Sequence, residues 1–171
     1  MNHRSRFLYL LVTISLFGAY GCMRGESAPQ IGDPSPRIEL YDLNGKRTAI
    51  QDDLRDKIVV IRFWRDCCSY DINEMSRVVQ IHRKYIEKGL RIVTIHTGGA
   101  REDAEGFVSK LKITFPVLLD PDSKVAKRYG VSKLPCTFIL DRNGVIRWKI
   151  IGPVEGSIRA AYEKFLASLL N

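Results

Sequence analysis

Val59-Val60-Ile61-Arg62-Phe63-Trp64-Arg65-Asp66-Cys67-Cys68-Ser69-Tyr70-Asp71 is the stretch that decides the architecture. Its first six residues are, Arg62 apart, β-branched or aromatic, and with Ile58 they predict a strand buried on both faces. Beyond Ser69 the period changes. Ile72, Met75, Val79, His82 and Ile86 recur at intervals of three and four, the apolar stripe of a helix that Gly89 ends. A buried strand that turns within a few residues into a helix puts Cys68 at the helix N-terminus. Exposed amides and the helix dipole there favour a thiolate. Cys68 is therefore the expected nucleophile; the alternative is an inert core thiol. Arg62 favours the same thiolate if its side chain points that way. The charge of Asp71 opposes the thiolate, while its carboxylate is placed to accept the thiol proton. Cys67 is a second thiol next door, although a disulfide between neighbours forces strained backbone geometry.

Downstream, Leu90 to Ile95 reads as a second buried strand and Arg101 to Leu111 as an amphipathic helix. Phe115 to Leu119 reads as a short strand, and Asp122 to Tyr129 as a short helix stopped by Gly130. Cys136 to Leu140 and Val145 to Ile151 are strands joined by Arg142-Asn143-Gly144, and a last helix runs from about Glu155 to Leu170. Upstream, Arg37 to Leu40 and Arg47 to Ile50 flank Asn44-Gly45, a strong hairpin signal. Strands alternating with helices, closed by a hairpin and a helix, predict an α/β fold with a mixed central sheet flanked by helices.

The first residues are read separately. Met1 to Arg6 carries Arg4 and Arg6 and no acid, and residues 7–20 are uncharged and mostly apolar. That run is too short to span a bilayer comfortably and suits a signal-peptide core. It ends in Ala19-Tyr20-Gly21-Cys22, which resembles a bacterial lipobox, with Cys22 the lipidated new N-terminus. Plain secretion and a retained membrane anchor are the alternatives. The expected organisation is a signal peptide over 1–21, a lipidated tether over 22–36, rich in Gly, Ser, Pro and charge, and a domain over 37–171. The chain of 171 residues, 45% apolar and 27% charged, supports one packed domain and excludes a wholly disordered protein. Losing Arg4 and Arg6 lowers the net charge of +8 to +6. The basic residues are scattered and accompany no nucleic-acid motif, which excludes a nucleic-acid partner and leaves a solvated surface or one resting on anionic lipid. With Cys22 lipidated, three thiols remain, Cys67, Cys68 and Cys136. An odd number in an exported protein leaves at least one free or paired with a partner.

Several pieces in order carry a family resemblance. These are Gly32-Asp33-Pro34-Ser35-Pro36 with Asp42-Leu43-Asn44-Gly45-Lys46, then Val59 to Trp64, then Glu74-Met75. Phe115 to Asp120, Val125 to Val131, Leu134-Pro135-Cys136-Thr137-Phe138 and Asp141 to Gly144 complete the set. From Ile31 to Leu170 the chain resembles the extracytoplasmic thioredoxin-like redoxins of the TlpA and ResA type, related to the AhpC/TSA redoxins. The resemblance implies a thioredoxin-like fold with an N-terminal β-hairpin and the family insertion. It also implies a membrane-tethered thiol–disulfide oxidoreductase that needs no cofactor, with a protein thiol or disulfide or a membrane reductant as partner. It makes Pro135 cis and Trp64 a packing residue beneath the site. The chain departs from the family where the chemistry lies. The family has Trp-Cys-x-x-Cys; here Cys67 stands for the tryptophan, Cys68 for the nucleophile and Asp71 for the resolving cysteine. Cys136 stands where threonine usually follows the cis-proline, and Arg62 where Asn or Asp is common.

In the family cycle one thiolate attacks a disulfide and the second cysteine releases the mixed disulfide. Asp71 cannot perform the second step. Cys136 is the candidate replacement, partnering Cys68 or Cys67, because the cis-proline loop packs against the nucleophile in this fold; otherwise it is a small apolar residue, or one of a set of thiols holding a metal. Two other functions stay open. One is a thiol peroxidase passing through a sulfenic acid, although the Pro-x-x-x-Thr-x-x-Cys pattern of peroxiredoxins is absent. The other is a non-catalytic module that grips a partner protein or a soft ion such as copper(I). His82 reads as a core histidine; His96 is a candidate for proton transfer or metal binding at the edge of the site.

Overall fold

In the computed structural model, residues 27–65 and 69–170 are described. The strands are β1 (Glu39–Asp42), β2 (Arg47–Ala49), β3 (Ile58–Trp64), β4 (Leu90–Thr97), β5 (Val117–Asp120), β6 (Cys136–Leu140) and β7 (Ile146–Ile151). The helices are α1 (Ile50–Asp53), α2 (Ser69–Tyr85), α3 (Arg101–Leu111), α4 (Lys124–Arg128) and α5 (Gly156–Leu170). One seven-stranded sheet runs β2-β1-β5-β4-β3-β6-β7. β3 pairs in parallel with β4, and β4 with β5, while the β1–β2, β1–β5, β3–β6 and β6–β7 pairs are antiparallel. This is the expected mixed sheet. Among the described residues no helix is long and apolar enough to cross a membrane.

Both hairpin turns use the same local chemistry. Asp42 Oδ1 accepts the amides of Asn44 and Lys46, and Asp141 Oδ1 accepts those of Asn143 and Val145. Gly45 and Gly144 then close each turn at φ of 76° and 75°, where a side chain is disfavoured.

The central strand β3 is buried along its whole length. Its alternation divides the core. Ile58, Val60 and Trp64 pack with Met75, Val79, Tyr162 and Leu166 on the α2–α5 side. Val59, Ile61 and Phe63 pack with Tyr129 and Phe138 on the other face. The α2 stripe is Met75, Val78, Val79, His82 and Tyr85. The expected Ile86 falls instead in a 3₁₀ turn, Ile86–Lys88, which Gly89 closes in the left-handed conformation.

Two segments differ from the sequence reading. The opening strand begins at Glu39 rather than Arg37, because the Ile38 amide donates to Gln51 Oε1 and strand pairing starts at Glu39 opposite Ala49. The return strand stops at Ala49, whose amide is capped by Asp53 Oδ2, and Ile50 begins the short helix α1. The stretch read as a tether to residue 36 is also docked in its second half. Pro34 bridges to Val145, the Gly32 amide donates to Ile146 O at 2.8 Å, and Tyr129 Oη donates to Pro36 O at 2.7 Å. Short polar residues looked like linker, but here their backbone groups extend the sheet edge.

His82 is the core histidine the pattern predicted, 8% exposed and edge-on to Phe115 at 5.3 Å between ring centroids. Burial, aided by Arg91 and Arg83, holds its pKa below the ordinary value. The unfolded chain therefore binds the extra proton first as pH falls, so stability is full above about pH 6.5 and declines below it. The melting temperature of the parent should fall on acidification through this range, and that of His82→Phe should fall less. Equal slopes for the two proteins would exclude His82 as the titrating group.

Candidate functional site

The site is built at one end of the sheet. β3 ends at Trp64, β6 begins at Cys136, and α2 begins at Ser69. Cys136 is opposite Phe63 and Thr137 opposite Arg62 in the β3–β6 ladder. The Leu134–Pro135 peptide bond is cis, as expected, and Pro135 O accepts the Gly152 amide at 2.8 Å, which ties the proline loop to the end of β7.

Of the expected site residues, Cys67 and Cys68 lie in the connection between β3 and α2, outside the described residues, as does Cys22. Asp71 lies in the first turn of α2, and its side chain is likewise outside what is described. The connection starts from a fixed point. Arg65 Nε donates to Thr97 O at 2.8 Å across Gly98, and a Cβ at Gly98 would collide with the Arg65 guanidinium. Gly98 itself sits at φ 66°. Neither residue was singled out in the sequence; a glycine directly after a buried strand was the available signal.

Arg62 corrects the electrostatic expectation. Strand alternation places it on the α2 side with Val60 and Trp64, as a residue pushing toward the nucleophile would need. There, however, its Nη2 lies 2.6 Å from Glu74 Oε2, and both side chains are only 3% exposed. Its Nη1 donates to Thr137 Oγ1 at 3.0 Å, and Glu74 Oε1 accepts the Val154 amide at 2.7 Å. Arg62 is thus half of a buried ion pair that ties α2, β6 and the approach to α5 together, and Glu74 offsets its charge. Its Nε has no hydrogen-bond partner among the described residues.

Cys136 is 1% exposed. Directly opposite residues in a ladder share a face, so it points with Phe63 into the α4-side core, away from α2. Burial pushes its thiol pKa up, against smaller opposing effects of Lys149 and Arg62. Position beside the cis-proline is as expected; the orientation and the acidity are those of a packed apolar residue. Trp64 is 1% exposed and packs as expected, with ring centroids 4.9 Å from His96 and 4.7 Å from Phe107. His96 lies inside β4 rather than after it and is also 1% exposed, so its ring is part of the core beneath the site and not an open edge of it. The strand expected to end at Ile95 continues through His96 and Thr97, and both are covered.

The end of β3 thus lies beside a cis-proline loop, and Cys67 and Cys68 fall in the sequence between that end and the start of α2. Residues 31–149 match the family described as AhpC/TSA. The thiol-disulfide oxidoreductase ResA of Bacillus cereus is 30% identical over 156 residues, covering 87% of this chain and 90% of that protein. ResA of Bacillus subtilis is 28% identical, covering 91% and 84%. Among solved structures, a Chlorobium tepidum protein described as a thiol:disulfide interchange protein DsbE superposes with a TM-score of 0.75 at 26% identity, covering 84% of this chain and 99% of that one. A Bacteroides thetaiotaomicron protein described as a disulfide isomerase shares the fold with a TM-score of 0.73 at 20% identity, covering 82% and 90%. With its thioredoxin-like sheet, its cis-proline loop and these relatives, the chain belongs to the AhpC/TSA family, among the redoxins of the TlpA and ResA type.

Proposed function

We propose that the protein is an extracytoplasmic thiol–disulfide oxidoreductase, tethered by a lipid on Cys22, in which Cys68 is the attacking thiol and the resolving thiol comes from a position other than 71. The observation that carries the reading is the convergence at one sheet end: β3 runs out beside cis-Pro135, and the Cys67-Cys68 connection leads from it directly into a seventeen-residue helix. Support comes from ResA relatives named for this activity. In the reaction the Cys68 thiolate attacks one sulfur of a substrate disulfide. A Cys68–substrate disulfide forms, and the other substrate sulfur leaves as a thiolate that takes up a proton. A second thiolate then attacks the Cys68 sulfur and expels the remaining substrate thiolate.

The source of that second thiol divides the reading. Burial, raised pKa and the far-side orientation of Cys136 favour a thiol supplied by another molecule. Its place directly after cis-Pro135 favours Cys136 itself, and then a Cys68–Cys136 disulfide is left for a reductant. Cys136→Ser should leave turnover of a disulfide substrate unchanged and accumulate no mixed disulfide. Trapped mixed disulfides on Cys68 in that variant would instead make Cys136 the resolving thiol. The tether has its own check: Cys22→Ser should release the protein from the membrane fraction or block its processing, and a variant that stays membrane-bound and normally processed rules the lipid out.

A further inference from the structure

A shallow groove of about 530 Å³ lies between β7 and α5, and its floor is apolar: Ile31, Trp148, Ala161 and Phe165 line it, with Arg147 and Lys164 at its rim. Ile31 is 61% exposed. The Trp148 and Phe165 rings meet edge to face at 5.0 Å. We propose that this groove is a membrane-contact surface, which settles into the headgroup region of a bilayer carrying anionic phospholipid. The inference rests on the lipid-tether reading and adds to it a defined orientation of the domain.

Three observations converge on that occupant. The first is reach. Ile31 is nine residues from Cys22, at most about 30 Å of extended chain, so a lipid on Cys22 keeps this face within that distance of the bilayer. The Gly32 and Pro34 contacts with Ile146 and Val145 hold the leading segment against the sheet edge beside the groove. The second is chemistry. Exposed Ile31 beside the half-buried Trp148 and Phe165, with Arg147 and Lys164 alongside, suits the headgroup–acyl boundary, where apolar groups sink in and cations meet phosphates. Arg147 also holds Asp141 at 2.7 Å, and the chain as a whole is basic. The third is geometry. Trp148 pairs with Ile139, three residues along β7 from Ile151, which pairs with Cys136 at the thiol end. That is about 10 Å of strand. The C-terminal turn of α5 lies at the opposite end of the sheet, where Leu169 O accepts from Arg142 Nη1. Contact through the groove therefore holds cis-Pro135 and the end of β3 away from the lipid, toward soluble partner proteins.

The test uses the lipidated chain in vesicles of phosphatidylglycerol and phosphatidylcholine whose acyl chains are brominated near the headgroups. Tryptophan emission should be quenched. Trp148→Phe should lose the quenching, because the remaining Trp64 is 1% exposed in the core. The paired change Ile31→Glu with Lys164→Glu should keep the protein floating with the vesicles while most of the quenching is lost. A floating parent with unquenched emission, or quenching that survives Trp148→Phe, overturns the membrane contact and leaves the tether standing. Unquenched emission that shifts to the blue as protein density rises puts a second copy on the groove and overturns it equally. A parent that does not float removes the lipid on Cys22, and this proposal falls with it.

Discussion

Arg62→Met is expected to cost about 3–5 kcal/mol of stability, the range for removing one partner of a buried ion pair. The substitution keeps an unbranched apolar stem but removes the guanidinium, and it leaves Glu74, 3% exposed, facing an apolar neighbour across α2 and β3. It also strips Thr137 Oγ1 of its donor. In a denaturant titration the midpoint should fall with the slope unchanged. The double variant Arg62→Met, Glu74→Leu should recover most of the loss, since well-packed apolar replacements of a whole buried pair are often neutral or better. Part of the deficit should remain, because Val154 loses the acceptor of its amide. A single variant that costs under about 1 kcal/mol would reduce the pair to the standing of a surface ion pair and refute the role assigned to it.

Cys68→Ser should take disulfide turnover to the uncatalysed level, a loss of at least about a thousandfold, because a hydroxyl at neutral pH does not replace a thiolate nucleophile. Cys67→Ser should retain activity if Cys68 acts first. Equal loss in both variants would mean that the two thiols work as a unit, and loss confined to Cys67→Ser would move the nucleophile by one position. Asp71→Cys is the companion experiment. It places a second thiol three residues on, in the first turn of α2, and removes a charge that opposes thiolate formation. That variant should reduce disulfides faster than the parent, and Cys136→Ser should barely affect it. No gain in rate would exclude position 71 as a place from which a thiol reaches Cys68.

The elements of the fold were largely legible because each is announced by local chemistry. The Asp-x-Asn-Gly turns, the β3 run that only Arg62 interrupts and the stripe of α2 are local patterns, and each element appears where it was expected, apart from Ile86, which falls in the 3₁₀ turn. The errors sit where a capping side chain or a distant strand edge supplies a partner that periodicity does not announce. Ile50 leaves its strand for α1 because of a cap at Ala49, and residues 28–36 look like linker until the edge at Val145 and Ile146 gives their backbone partners. Site residues were legible by type and order more than by role. Cis-Pro135 and the packing of Trp64 were expected and are present. His96 was placed at an edge because its strand was ended two residues early.

By itself the sequence determined the α/β alternation, the mixed sheet, the family and the departure at Asp71, since these depend on periodicity, turn residues and motif order along the chain. Tertiary structure alone decided what Arg62 pairs with and which way Cys136 points. Arg62 looked like a cation offered to a thiolate. It becomes half of a neutral buried pair only because α2 folds back over β3 and brings Glu74, twelve residues on in sequence, to within 2.6 Å. Cys136 looked like a second thiol for Cys68. The register that sets it opposite Phe63, not Arg62, turns it to the other face of the sheet. A strand's period of two says which residues share a face, but only the register of β3 with β6 and the packing of α2 on Val60 and Trp64 say which face Cys136 joins.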